Sequence, residues 1–213
     1  MSENRSSQHR MSATDRQRQL LDAALTIFSR KGFKGATTKE IAAATGVAEA
    51  IIFQHFPSKE ALYSAVLDLN LDAGDGQKTA EEIREYMERN DDEGVFRTCI
   101  CSILRGYRSN AAFQRVILFA ALEGHEQGLV RMRRQFSPLY TRLAEYVARR
   151  QEEGVFIEGN PYAILTGFTG IAHQYGLITR IMNAPAPDIP DEEMATHFAR
   201  MLLRGVLKDH AMD

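Results

Sequence analysis

Between Gly35 and Leu62 the chain carries helix start and stop signals so close together that only short, tightly turned helices satisfy them. Thr37 and Glu40 have the spacing of a capping box, so a helix begins just after Thr37. Ile41 and Ala42 give it a small apolar inner face, and Gly46 supplies the left-handed residue that ends it. Val47 fills the angle to the next helix, which Ile52 and Phe56, one turn apart, anchor against the first. Pro57 stops that helix. Ser58 caps another, with Glu60 in its first turn, where the helix dipole favours an anion. Upstream, Leu20, Leu21, Ala24, Ile27 and Phe28 form one helical stripe, capped by Thr14 or Asp15 and closed by Gly32-Phe33. The pattern is a helix-turn-helix, whose second helix can lie in a DNA major groove.

The net charge of −2 does not itself point to a nucleic-acid partner, but its distribution does. Arg5, Arg10, Arg16, Arg18, Arg30, Lys31, Lys34 and Lys39 face only Glu3, Asp15 and Asp22 over the same stretch, beside the motif that would need phosphate contacts. Residues 1–13 hold little that could pack and read as a disordered basic arm. No apolar run approaches the ~20 residues needed to span a bilayer, and no secretion signal opens the chain. Cys99 and Cys101 are too few for a disulfide framework, so a cytoplasmic protein without membrane contact is expected. The same two cysteines point to different faces of a helix, which speaks against a shared zinc site. Asp68-Leu69-Asn70-Leu71-Asp72 resembles the opening of a calcium loop but has Ala73 and Thr79 where glycine and glutamate are required. Phosphate loops, nucleophile elbows and paired catalytic carboxylates are missing from the sequence, so neither a catalytic residue nor a metal or cofactor is expected.

The rest of the chain is a succession of amphipathic helices with no strand alternation, so the fold class is all-α. The helix from Lys59 turns Leu62, Val66 and Leu69 inward and frays over residues 72–76. One helix runs from Glu81 to Arg89, and Val95, Cys99, Ile100, Ile103 and Tyr107 share a face of the next. Asn110 caps a third, containing Phe113, Ile117, Ala120 and Ala121. Met132, Phe136, Leu139, Leu143, Tyr146 and Val147 mark a longer stretch; within it, either Ser137 caps a fresh helix with Pro138 at its first position, or one helix kinks there. Asn160-Pro161 opens a helix whose stripe is Leu165, Phe168, Ala172, Tyr175 and Ile178, down to Met182. Gly167, Gly170 and Gly176 weaken it unless another helix approaches closely. A final helix opens at Asp191, carries Met194, Phe198, Met201, Leu202 and Gly205 on one face, and closes at Lys208 and His210.

Residues 14–65, through Thr37-Thr38, Ile41-Ala42, Thr45-Gly46-Val47 and the run from His55 to Glu60, resemble the N-terminal domain of the TetR family of bacterial transcriptional regulators. The resemblance implies an N-terminal three-helix DNA-binding domain (14–57), a connecting helix and loop (58–76), and a larger helical ligand-binding and dimerisation domain (77–213). It implies a homodimer on a double-stranded, pseudo-palindromic DNA operator, released by a small, largely hydrophobic effector and most often acting as a repressor. Thr37, Thr38, His55 and Lys59 match positions at the DNA backbone, Lys39 beside them reaches either a phosphate or a base edge, and Ala48, Glu49, Ala50, Ile51, Phe53 and Gln54 belong to the groove-facing helix. Several depart from the family pattern. Ala48 removes a side-chain cap, at about 1 kcal/mol. Glu49 adds a negative charge that suits only a donor such as a cytosine amino group. Ile51, if it faces the groove, meets a thymine methyl, and Phe53 lacks a phenolic donor. The last two helices, through Leu165, Phe168, Ala172, Tyr175, Phe198, Met201, Leu202 and Gly205, are expected to meet a second subunit. Cys99, Tyr107, Arg115, His125, Gln174 and Tyr175 are the polar residues beside apolar faces that can orient an effector. A DNA-silent interaction module and an enzyme with a similar helical subdomain account for less of the pattern.

Overall fold

A computed structural model describes residues 12–72 and 76–208. Ser12, rather than Thr14 or Asp15, caps the first helix, its hydroxyl accepting the Asp15 amide at 3.0 Å. Helix α1 (Ala13–Gly35) therefore begins inside the expected arm, of which residues 1–11 lie outside the described residues. It breaks at Gly32, where φ is 70°, and resumes for one turn. Then come α2 (Thr38–Thr45), α3 (Glu49–His55) and α4 (Lys59–Asp72). Most of the expected fraying segment (73–75) and the expected closing residue His210 are outside the described residues.

Helix α5 (Gly76–Glu88) starts ahead of the expected Glu81. Asn110 separates α6 (Asp92–Ser109) from α7 (Ala111–Glu123), and its side chain accepts the Phe113 amide at 3.0 Å, as the sequence predicts. Helix α8 (Glu126–Glu152) runs on through Pro138, so Ser137 starts no new helix. The proline is tolerated because residues 133–138 are exposed, and the carbonyl it leaves unpaired can turn to water. Phe136, expected on the buried stripe, is 56% exposed for the same reason. Helix α9 (Pro161–Gly176) opens on the Asn160 cap and passes into a π-helical turn (Leu177–Ile181) short of the expected Met182. Helix α10 (Asp191–Val206) completes an all-α fold; among the described residues the one strand-like feature is an isolated bridge between Phe156 and Leu207.

Two cores organise these helices. The first gathers Leu20, Ala24 and Phe28 of α1, Ile41 of α2, Ile52 of α3 and Leu62, Tyr63 and Val66 of α4, and it takes Phe113 and Val116 from α7. The expected boundary at residue 57 thus runs through a shared core. The second is built from α5, α6, the C-terminal half of α8, α9 and α10, with Phe96 and Phe168 stacked at 3.7 Å. Leu165, Phe168 and Ala172, expected at a subunit interface, are turned into this core at 0%, 1% and 0% exposure. An apolar stripe fits an intramolecular contact as well as an intermolecular one, and here the former claims it. Gly176 does meet a close neighbour, the Tyr107 ring, whereas among the described residues nothing outside the helix's own backbone lies within 4 Å of where a Cβ would sit on Gly167 or Gly170.

One polar anchor ties the second core together. Asp92, in the first turn of α6, accepts Arg150 Nε at 2.9 Å and Nη2 at 2.8 Å, and the Tyr146 hydroxyl at 2.5 Å. Burial and this carboxylate raise the tyrosine's titration above its ordinary range. The Arg150 and Asp92 side chains are only 11% and 13% exposed. Asp92→Ala would leave the guanidinium only Glu153 as a carboxylate partner, and we expect a loss at the lower end of about 3–5 kcal/mol in urea unfolding. Arg150→Met leaves the Asp92 carboxylate its bond from the Tyr146 hydroxyl and its place in the first turn of α6, where the helix dipole favours an anion, so it should cost less in the same experiment.

Candidate nucleic-acid interface

The start of α2 is built as the sequence predicts. The Thr37 amide donates to Glu40 Oε2 at 3.1 Å, and the Glu40 amide donates to Thr37 Oγ1 at 3.2 Å. Lys31 pairs with the same carboxylate, and this ammonium, ahead of Thr37, holds the Glu40 carboxyl below the usual range. Gly46 ends the helix with φ 69° and ψ 26°. Ala48 stands at the N-cap of α3 without any side-chain hydrogen bond.

Helix α3 is held by Ile52, fully buried, and by Phe56 just beyond it at 4% exposure. Ala48, Glu49, Ala50, Phe53 and Gln54 are exposed, and Ile51 and His55 are half-buried. A short helix with one buried anchor and an open face does little for the core. That leaves its surface free to meet a partner. Thr37 and Lys39 are exposed beside it.

Thr38 and Glu49 are linked. The Thr38 hydroxyl donates to Glu49 Oε1 at 2.5 Å, joining the first turn of α2 to the first turn of α3. The carboxylate therefore sits where the Thr38 hydroxyl was expected to meet a phosphate.

Lys59 departs from expectation. Its ammonium donates to the Phe33 carbonyl at 2.9 Å and the Ala36 carbonyl at 3.1 Å, and lies 4.3 Å from the centre of the Phe33 ring. It is committed to the protein rather than offered to a phosphate. The orphan carbonyls at a helix C-terminus attract a cation, and Lys59 is the one whose backbone brings it there. From the opposite side Glu123, at the end of α7, accepts the Phe33 amide at 2.9 Å and the Lys34 amide at 3.3 Å. The Lys34 ammonium returns to the Glu123 carbonyl at 3.1 Å. A Cβ on Gly32 would overlap Glu123 and Phe119, so this approach requires glycine beyond its positive φ. Sequence reading missed Glu123 because nothing local marks a residue that serves a turn ninety positions away.

The residues singled out for an effector are scattered. Cys99 lies in the second core, where burial pushes its thiol up to about 12. Tyr107 packs on Gly176 and edges the His173 ring at 5.9 Å, Gln174 is exposed, and Tyr175 meets Phe198 at 5.6 Å. His125 caps α8 and sits between Phe33 and Tyr63, at 4.7 and 4.6 Å. Arg115 alone of the set lines a sizeable cleft, between α1, α7 and the π-helical turn.

Residues 20–66 match the model of the family described as bacterial regulatory proteins, tetR family. Residues 20–66 thus form a domain of the tetR family. An uncharacterized HTH-type transcriptional regulator of Bacillus subtilis, YvkB, is 24% identical over 196 residues, 90% of this chain and 97% of that protein. The HTH-type transcriptional regulator RutR of Escherichia coli is 49% identical over 53 residues, 25% of each chain. Among solved structures, the TetR family transcriptional regulator PfmR of Thermus thermophilus superimposes with a TM-score of 0.68 at 20% identity, covering 91% of this chain and 97% of that one. The tetR-family domain thus makes the chain a DNA-binding transcriptional regulator, and the all-α fold is shared along nearly its whole length. No helix among the described residues is long and apolar enough to cross a membrane.

Two substitutions separate the roles of these charges. Glu49→Gln should tighten binding to random duplex by roughly three- to tenfold at low salt, with the gain shrinking as salt rises, in a fluorescence-anisotropy titration. Lys59→Met should cost about 1.5–3 kcal/mol of stability by losing charge-assisted bonds to two carbonyls. Its salt slope for DNA should stay that of the parent, whereas a phosphate-contacting lysine would lower the slope by about one.

Proposed function

We propose that the chain is a dimeric, ligand-responsive repressor that binds a pseudo-palindromic operator and releases it on binding a small, largely hydrophobic molecule. The observation that carries the reading is the open face of α3, with Ala48, Glu49, Ala50, Phe53 and Gln54 exposed around a single buried anchor. Thr37, Lys39 and His55 flank that helix and, with the Thr38 backbone amide, supply hydroxyl, amide and cationic groups suited to phosphate. Two such helices set one DNA turn apart, ~34–36 Å, bind far more tightly than one. Ile51, half-buried, contributes at the edge of this face rather than at its centre.

Support for the dimer lies on the outer side of α9 and α10. Met201 is 55% and Tyr162 49% exposed, and among the described residues no other element approaches Gly167, Gly170 or Gly205. Tyr175, Phe198 and Leu202 remain half-buried beside them. Small residues next to exposed apolar ones suit close helix packing across a two-fold axis. Residues 14–57 would serve as the reading head, α4 as its link, and the remaining helices as the part that pairs and senses.

Selection of random duplexes at several salt concentrations tests this reading. A repressor yields palindromic sites, selected over random DNA by about a thousandfold or more, and a steep fall in affinity with salt. An interaction module yields neither. Met201→Glu should shift the sedimenting species from dimer to monomer, leave the helical circular dichroism unchanged, and weaken operator binding by at least about tenfold as the second half-site is lost.

A further inference from the structure

We propose that the cleft between α1, α7 and the π-helical turn binds an amphipathic organic anion, a carboxylate on an apolar body, with Arg30 and Arg115 taking the charge. The inference deepens the reading of effector release and rests on it for its consequence, while the binding itself stands on the cleft alone. The cleft is open to solvent on one side and holds about 440 Å³, within the usual range for small-molecule sites. Leu118, Phe119 and Leu122 of α7 and Ile181 of the turn form its apolar wall. Leu122 is left 83% exposed, a large apolar side chain with most of its surface open.

Both arginines are free of carboxylates. Among the described residues neither Arg30 nor Arg115 takes part in an ion pair. Arg115 reaches a single protein acceptor, the Ile181 carbonyl at 3.5 Å, the far limit of a hydrogen bond. The nearest acid on the wall-forming helix, Glu123, is spent on the Phe33 and Lys34 amides. Ser29, also on the lining, donates its hydroxyl to the Thr26 carbonyl and adds no free donor. What remains is an apolar wall with guanidinium groups supplied by two different helices. A planar carboxylate matches guanidinium donors, and a cation finds no carboxylate on the lining.

The position gives the site its consequence. Arg30 lies just before the break at Gly32, on the helix that leads into the α1–α2 corner, and Arg115 lies on α7, whose far end holds that same corner through Glu123. An anion gripped by both would fix α1 relative to α7. If that spacing differs from the one that fits DNA, binding of the anion and binding of the operator oppose each other by the same factor in both directions. A π-helical turn on the rim fits a functional role, since such turns recur at sites.

Calorimetry on the full chain without DNA tests the site, with decanoate as probe and decanol and decyltrimethylammonium as matched controls. Decanoate should bind with one site per chain, at least about tenfold more tightly than either control, and Arg115→Gln should weaken it about tenfold with the melting temperature unchanged. Leu118→Glu, which sets a carboxylate on the apolar wall, should abolish binding. Equal binding of decanol, or decanoate binding that ignores Arg115→Gln and Leu118→Glu, overturns the inference. So does a shift from dimer to monomer on Leu122→Glu, which would make the cleft a contact between copies of the chain. Arg115-dependent binding that leaves operator affinity unchanged supports the site and overturns the effector reading alone.

Discussion

The short corner between α1 and α2 governs how the recognition helix is presented. It is held by opposite charges on its two kinds of backbone group: Lys59 takes the carbonyls of Phe33 and Ala36, and Glu123 takes the amides of Phe33 and Lys34. Each charge satisfies groups that a helix break leaves without partners. Neither could be replaced by water without loosening the other, because Phe33 supplies both an amide and a carbonyl to the arrangement. Its ring adds a third contact, packing against Tyr63 at 5.1 Å and His125 at 4.7 Å. Since Lys59 opens α4 and Glu123 closes α7, the corner reports the positions of two helices that belong to different parts of the chain.

That arrangement makes α7 the joint of the molecule. Phe113 and Val116 fill the first core, and the Tyr63 hydroxyl donates to the Val116 carbonyl at 3.4 Å. At the N-terminal end of α7, Asn110 donates to Asn70 of α4 at 2.7 Å, and Arg131 of α8 pairs with Asp68, two residues before Asn70. Helix α4 is thus gripped along its length by α7 and α8, with polar contacts at one end and aromatic ones at the other. Packed cores have discrete arrangements rather than continuous ones. A rotation of α7 cannot be absorbed locally and must reach the corner that carries α2 and α3.

The parts of this fold that could be read from sequence are those where cause and effect lie within one turn. Thr37 with Glu40, Gly46, Asn110 and Asn160-Pro161 act on backbone groups a few residues away, and all behave as their spacing predicts. The exposed character of Glu49, Ala50 and Gln54 was legible for a related reason, since the anchors Ile52 and Phe56 leave the other side of a short helix uncovered. Lys59, Leu165 and Pro138 were not legible. A lysine at a helix start, an apolar stripe and a proline in a polar stretch each admit two environments, and long-range packing chooses between them. Glu123 left no local trace at all. Its role exists only because Gly32 breaks α1 at the place where the end of α7 arrives.

The weakness of α3 follows from the same division of labour. The helix spans Glu49–His55, too short to be stable alone, and lacks a side-chain cap at Ala48. Its support comes from Ile52 in the first core and from the Thr38–Glu49 bond across to α2. That bond substitutes in part for the missing cap: it places an anion in the first turn, where the helix dipole favours one, and ties it to the neighbouring helix. The same carboxylate opposes any phosphate brought to that spot. Stability of the free protein and affinity for nucleic acid therefore pull on Glu49 in opposite directions. A DNA site that supplies a hydrogen-bond donor to this carboxylate, as a cytosine amino group does, relieves the conflict, whereas an arbitrary duplex does not. A residue unfavourable for general DNA binding can in this way sharpen the preference for a particular sequence, because the cost falls on every site that leaves the charge unanswered.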